Sequence, residues 1–169
     1  MAEQIELTFD GLNEALQEYA EEVRHLYRNR LILDDKYASG KLIQNIKTYV
    51  KAKGVKYEVG LYLEDYWQYV EEGRKPGKFP PTDKILEWIK IKPVLPEPDK
   101  DGKKPSPESL AFLIGRKIAN EGIDAGHQLK ETIQEANARW IPKLQEALQG
   151  DFEGYVLKTF EAAKKLIKI

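Results

Sequence analysis

Cysteine is missing from this chain, and its absence excludes several kinds of chemistry at once. Without a thiol the chain forms no disulfide, holds no metal through a thiolate and has no cysteine nucleophile. Histidine is scarce too, because only His25 and His127 occur in 169 residues. The two histidines lack the spacing of metal ligands on one element, so we interpret each as a solvated side chain. The sequence predicts no metal site and no cofactor.

Long apolar runs and a charge excess are also missing. No stretch approaches the roughly 20 apolar residues that span a bilayer, and residues 1–6 lack the apolar segment of a signal peptide. The net charge is -1, from 27 basic and 28 acidic residues. A free-standing nucleic-acid binder usually has a strong basic excess, so any basic patch here is local. We expect a protein of the cytoplasm with no membrane contact.

No catalytic signature emerges from the remaining polar residues. The segment Gly73–Lys78 has three residues between its glycines where a phosphate-binding loop needs four, and Phe79 stands where such a loop needs serine or threonine. No serine lies in a nucleophile-elbow pattern. Acidic residues occur as adjacent pairs, whose side chains point apart on a helix or strand: Glu21-Glu22, Asp34-Asp35 and Glu71-Glu72. We therefore do not expect an enzyme.

The first half of the chain combines a helix with a hairpin. Apolar residues spaced by three and four from Leu12 to Leu31 predict a helix that Asp10 caps. A short helical turn is predicted near Ser39. Two alternating runs around Gly54 then predict a β-hairpin. Gly60 within the second run indicates a bulge or a close approach of another group.

The second half reads as helices separated by glycine and proline. Thr82 is predicted to cap one helix, and Ser106-Pro107 begins another that ends at Gly122. A longer helix follows, with a kink predicted at Pro142 and an end at Gly150. Asp151 is predicted to cap a final helix. The sum is a single domain over residues 1–169, α+β and mostly helical, with a small antiparallel β-hairpin or sheet packed against helices.

A proline-rich extended arm interrupts these helices between residues 93 and 107. It contains five of the nine prolines, and proline removes backbone donors and restricts φ. Loops of this length in a compact domain are usually functional or disordered. Its large apolar side chains, Val94 and Leu95, are predicted to anchor the arm in a neighbouring molecule.

The segment Glu64–Pro81 combines aromatic, basic and proline residues in one short run. Tyrosine, tryptophan and arginine dominate the energetics of protein interfaces, so we predict a contact surface here. The structural alternative is that the aromatic side chains are partly in the core and the basic side chains partly solvated. Stacking aromatic side chains beside basic ones could also hold single-stranded nucleic acid, although Glu64, Asp65, Glu71 and Glu72 would repel phosphates. With the arm, the predicted protein-interface residues are Tyr66, Trp67, Tyr69, Arg74, Lys75, Lys78, Phe79, Val94 and Leu95.

The order of these features resembles the neck proteins of tailed bacteriophages, the family of head–tail connector and tail-completion proteins. Ser39–Ile46 resembles the family's Ser/Thr-Gly-x-Leu-x-x-x-Ile entry into a hairpin. Tyr66–Gly73 resembles its Tyr-x-x-Tyr/Phe-Val/Leu-Glu-x-Gly motif, and Phe79–Pro81 its proline–aromatic run. The resemblance covers roughly residues 10 to 90. The arm and the long C-terminal helical region depart from the family pattern.

The resemblance implies a structural virion protein without catalysis. Copies would form a ring that joins the portal and head to the tail, located at the neck of the virion and in the host cytoplasm during assembly. Implied partners are further copies of the chain, the portal or an adjacent connector protein, and a tail protein, with non-specific contact to DNA in the channel. A single-stranded nucleic-acid-binding accessory protein is the alternative function.

Overall fold

The computed structural model describes residues 6–35, 40–54, 56–92, 94, 96 and 102–166. This part of the chain is α+β and mostly helical, as predicted, with a two-stranded antiparallel sheet packed against helices. Its elements are α1 (Asp10–Leu33), α2 (Lys41–Gln44), β1 (Lys47–Lys53), β2 (Lys56–Tyr62), α3 (Trp67–Glu71), α4 (Thr82–Ile91), α5 (Pro107–Glu121) and α6 (Gln128–Leu166).

The chain divides into two compact units. The first unit comprises Met1–Tyr27, Lys47–Tyr62 and Glu131–Ile169, and the second comprises Arg28–Ile46 and Leu63–Lys130. Helices α1 and α6 each contribute residues to both units because the boundaries fall within them. The buried apolar side chains of the first unit are Leu16, Ala20, Val23, Tyr27, Ala136 and Trp140. Those of the second unit are Leu31, Leu42, Ile43, Ile46, Ile85 and Ala111.

Helix α6 runs without interruption for 39 residues, which overturns the predicted break at Gly150. Asp151 therefore lies inside a helix instead of starting one. Its two carboxylate oxygens accept hydrogen bonds from the backbone N–H groups of Gly11 and Leu12, at 2.9 and 2.8 Å. These N–H groups begin α1 and have no intrahelical partner. Asp151 thus performs at α1 the capping that the sequence assigned to Asp10.

The hairpin forms as predicted, with a continuous register from Lys47 opposite Tyr62 to Lys53 opposite Lys56. No bulge interrupts this register at Gly60. Instead the ring of Tyr49, on the opposite strand, lies over Gly60, where an added Cβ would be 2.5 Å from the ring. The side chain of Thr48 donates a 2.5 Å hydrogen bond to Glu21 and so joins β1 to α1. Gly60 therefore marks a close approach of a side chain.

Of the two helix caps predicted in the second unit, one is confirmed and the other is wrong. Ser106 caps α5 as predicted, because its hydroxyl accepts the N–H of Ser109 at 3.2 Å. Thr82 does not cap α4: Pro81 occupies that position and no side chain bonds there. The helical turn predicted near Ser39 is α2, whose N-cap is Gly40; Ser39 itself lies outside the described residues. Within the described residues no helix is both long and apolar enough to cross a membrane.

Part of the predicted arm lies outside the described residues. Pro93, Leu95 and residues 97–101 belong to that part. Val94 is half-buried, and residues 102–106 lead into α5. The predicted anchoring of the arm in a neighbour therefore stays a prediction.

Candidate functional site

The candidate site lies in the second unit and is organised around Glu71, the last residue of α3. Its carboxylate is buried and accepts the backbone N–H groups of Leu129 and Lys130 at 2.8 and 2.9 Å. Its backbone carbonyl accepts the N–H groups of Gly126 and His127 at 3.0 Å each. A negative charge at a helix N-terminus is favoured by the helix dipole. Glu71 thus specifies where α6 begins.

The glycines at 73 and 122 allow the basic turn to join the end of α5. Arg74 and Ile123 exchange two backbone hydrogen bonds of 2.8 Å as an isolated antiparallel bridge. Gly73 has a φ of +69°, and a Cβ there would lie 2.2 Å from the carbonyl oxygen of Ile123. Gly122 has a φ of +82° and a similar clash with the carbonyl of Arg74. The turn is therefore held by backbone pairing that only glycine permits.

The side chains of this basic turn divide between internal contacts and solvent. The guanidinium of Arg74 donates to the carbonyl oxygen of Lys78 within the turn. Phe79 stacks on Phe112 of α5 with ring centroids 5.6 Å apart. Lys75 and Lys78 are exposed. Arg74 and Phe79 thus stabilise the local fold, while the two lysines remain available at the surface.

An open apolar groove of about 590 Å³ lies beside this turn, entirely within the second unit. The helical residues Ile85, Ile114 and Ile118 line it, and Pro80 and Pro81 form part of its wall. Tyr69 and Trp88 also line it and keep 63% and 38% of their surface exposed. Apolar surface of this kind, concave and accessible, is typical of a ligand or protein contact. We name it the α4–α5 groove.

Tyr66 forms part of the same groove and is held in place by its hydroxyl. That oxygen accepts the backbone N–H of Leu42 at 3.0 Å, near the start of α2. Helix α2 has no side-chain cap at its N-cap, Gly40. The ring of Tyr66 therefore lines the groove with its position determined by a hydrogen bond that also serves α2.

Charged residues at the groove are few and partly paired. Lys92 forms an ion pair with the carboxylate of Asp35 and donates to its backbone carbonyl at 2.9 Å. Lys84 pairs with Glu87 on the same helix at 3.1 Å. Asp124 also lines the groove. Because two acidic and two basic side chains line an otherwise apolar surface, the groove has no strong preference for an anion or a cation.

The predicted interface residues do not all belong to this groove. Tyr66 and Tyr69 line it, whereas Trp67 is half-buried and lies outside its lining. Leu95 is outside the described residues. Residues of the groove that the sequence analysis did not assign to an interface include Trp88, Ile114, Ile118 and Ile123. The helical spacing of Ile114 and Ile118 is typical of core packing, and the tertiary structure places them on an accessible surface.

Neither the arrangement of possible metal ligands nor comparison with known proteins indicates a chemical function. Among the described residues no group of three or more histidine, aspartate or glutamate side chains is placed to hold a metal ion. No protein-family model, curated protein or solved structure matches this chain. The resemblance to bacteriophage neck proteins therefore rests on the residues quoted for it.

Proposed function

We propose that this chain is a structural protein of a tailed-bacteriophage neck, where copies form a ring that joins the portal of the head to the tail. The observation that carries the proposal is the α4–α5 groove. Two of its aromatic side chains, Tyr66 and Tyr69, come from the motif that resembles the neck proteins. The same motif therefore supplies both the resemblance and an accessible apolar surface.

The other motif residues support this assignment because their roles are accounted for within the fold. Glu71 caps the start of α6, and Gly73 permits the bridge to Ile123. Tyr66 uses its hydroxyl for Leu42. Tyr69 has no comparable internal task among the described contacts, and it is the most exposed aromatic of the motif. An exposed tyrosine beside an apolar groove is typical of an interface anchor.

A second apolar surface occurs in the first unit. The C-terminal half of α6 exposes three large apolar side chains within about 120° of the helix circumference, which we name the distal α6 surface: Leu148, Phe152 and Phe160. The exposed fraction of these three side chains ranges from 43% to 63%. A ring needs two different surfaces on each subunit, because one face of a copy meets another face of the next. The groove and the distal α6 surface supply such a pair.

The alternative of a nucleic-acid site in Tyr66–Pro81 receives less support. Arg74 is engaged with the carbonyl of Lys78, and the ring of Phe79 packs on Phe112. Only Lys75 and Lys78 remain as exposed bases of the turn. The tyrosines face an apolar groove instead of a basic track. The segment fits a protein partner better than a phosphate backbone.

Antibody labelling and mass spectrometry of purified particles test the proposal. We expect a fixed number of copies per particle, located between head and tail. Tyr69→Ala should reduce incorporation and leave heads without tails, because truncating an interface aromatic costs about 2 kcal/mol or more. Lys75→Ala is the matched control, and an exposed charge at a rim costs far less. Absence of the protein from mature particles would refute the proposal.

A further inference from the structure

We propose that the outer face of the β1–β2 hairpin binds single-stranded nucleic acid without sequence preference. The inference concerns the first unit and does not rest on the proposed role in the neck. Side chains alternate between the two faces of a strand, and the register therefore determines which residues share this face. They are Lys47, Tyr49, Lys51, Lys53, Lys56, Glu58, Gly60 and Tyr62. We name this set the hairpin outer face.

Burial distinguishes this face from the opposite one. All four lysines and Glu58 are exposed. Most side chains of the other face are half-buried, and they are Thr48, Val50, Tyr57, Val59 and Leu61, with only Ala52 exposed. The inner face packs against helical residues of the same unit through contacts such as that between Thr48 and Glu21. The outer face is thus left to solvent or to a ligand.

The charge of the outer face is strongly basic in a chain whose net charge is -1. It carries four lysines against one acid, Glu58. The carboxylate of Glu58 accepts a 2.7 Å hydrogen bond from the hydroxyl of Tyr49. None of the four lysines forms an ion pair with any residue that the structure describes. Unpaired lysines on one surface release counterions when they meet phosphates, which is the main source of non-specific affinity for nucleic acid.

Two tyrosines add a stacking surface between these lysines. The rings of Tyr49 and Tyr62 are in contact, with centroids 4.8 Å apart. Lys51 places its Nζ 4.4 Å from the ring centroid of Tyr49. Tyr49 lies across the sheet because Gly60, opposite it, has no side chain. Tyr62 remains 53% exposed and offers a ring to an unpaired base.

The dimensions of the face fit a short single strand. Lys47 and Lys53 lie six residues apart on β1, or about 20 Å at about 3.4 Å per residue. A surface of this length spans only a few nucleotides of a single strand. Stacking on aromatic rings requires unpaired bases, so a single strand should bind better than a duplex. The face carries no arginine, asparagine or glutamine to read base edges, so binding should be independent of sequence.

Fluorescence anisotropy of the full chain with a labelled oligothymidine of twenty nucleotides tests the proposal. Lys51→Gln/Lys53→Gln should weaken binding about tenfold at low salt and reduce the salt slope by about 1.4, since each phosphate contact contributes about 0.7 for single strands. Lys75→Gln/Lys78→Gln removes the same charge from the basic turn and should leave affinity within about twofold. Circular dichroism checks that both variants fold.

The stacking step is tested by Tyr62→Leu, which keeps apolar bulk but removes the aromatic ring. We expect affinity for the single strand to fall about fivefold or more with an unchanged salt slope, because stacking on an aromatic is largely independent of salt. Three results would overturn the proposal: no binding by the wild type at 50 mM salt, equal losses for the two double variants, or a duplex of the same length that binds as tightly as the single strand.

Discussion

Glu71 belongs to one of four adjacent acidic pairs in the sequence, yet its surroundings differ from those of its neighbour Glu72. Glu71 is buried and accepts two backbone N–H groups at the start of α6. Glu72 is exposed. The difference depends on residues near position 129, which no local pattern around position 71 reveals. At this scale the role of a side chain is decided by which donors the fold brings to it.

Glu71→Gln should therefore destabilise the protein by about 3 kcal/mol, because hydrogen bonds to a charged group contribute about 1.5–3 kcal/mol each and the amide presents a donor to backbone N–H groups. Glu72→Gln is the matched control, with an expected change within about 0.5 kcal/mol. Urea denaturation of both variants measures the difference. Equal stabilities would show that the cap contributes nothing.

Gly73→Ala should cost more than about 2 kcal/mol, since a Cβ is disfavoured at positive φ and would also meet the carbonyl of Ile123. Gly150→Ala provides the opposite case. Gly150 lies within α6 with open space around it, so alanine should stabilise the helix by about 0.5–1 kcal/mol. Thermal denaturation shows whether each variant is less or more stable than the wild type. A stabilised Gly73→Ala variant would contradict the described turn.

At the scale of elements, the first turns of α1 and α6 are capped by side chains of other helices. Asp151→Ala removes both acceptors from the first turn of α1 and should cost about 1–2 kcal/mol. Glu153→Ala removes an exposed acid two residues further along α6 and serves as the control. Hydrogen exchange should speed up at the Gly11 and Leu12 amides in the first variant alone. Unchanged protection there would contradict the cap.

The contact between the hairpin and α1 should depend on pH. The hydrogen bond from Thr48 and the neighbouring Arg24 lower the pKa of Glu21 below its ordinary value. A carboxylate whose pKa is lower in the folded state adds stability above its unfolded pKa, and that stability is lost as the pH falls through the folded pKa. Thr48→Val should therefore destabilise the protein more at pH 7 than at pH 3. Urea titrations at both values check this, and an equal loss would exclude Glu21 as the cause.

At the scale of the whole molecule, apolar side chains remain accessible in both units, in the α4–α5 groove and on the distal α6 surface. Large contiguous apolar surfaces on soluble proteins usually mark interaction sites. Helix α6 has 39 residues and is therefore about 58 Å long, and the distal α6 surface lies in its C-terminal half. Assembly should therefore depend on both surfaces, while the folding of an isolated copy should not.

Phe152→Ser/Phe160→Ser should reduce the number of copies in purified particles without lowering the stability of the free chain by more than about 1 kcal/mol, because both rings are mostly exposed. Glu153→Ser/Lys158→Ser changes two exposed polar residues of the same helix and should be incorporated normally. Quantitative mass spectrometry of particles gives the copy number. Normal incorporation of the phenylalanine variant would exclude the distal α6 surface from the assembly.

Most of the helices and strands of this protein follow from local patterns in its sequence. Apolar spacing of three and four predicted α1, alternation around Gly54 predicted the hairpin, and Ser106-Pro107 predicted the start of α5. These signals are local, because periodicity and capping involve residues within one or two turns. Gly150 failed as a helix end because a glycine in a long helix costs only about 1 kcal/mol, which neighbouring turns and packing outweigh.

The roles of Asp151, Glu71 and the groove residues depend on contacts between distant parts of the chain. Asp151 meets Gly11 across 140 positions of sequence, and Glu71 meets Leu129 across 58. The predicted contact residues Tyr66 and Tyr69 do share one surface, but Trp88 and Ile118 join them only because α4 and α5 pack side by side. A capping acceptor or a groove-lining side chain has no local sequence pattern when its partners are distant in sequence. Such contacts form only when the fold brings the two segments together.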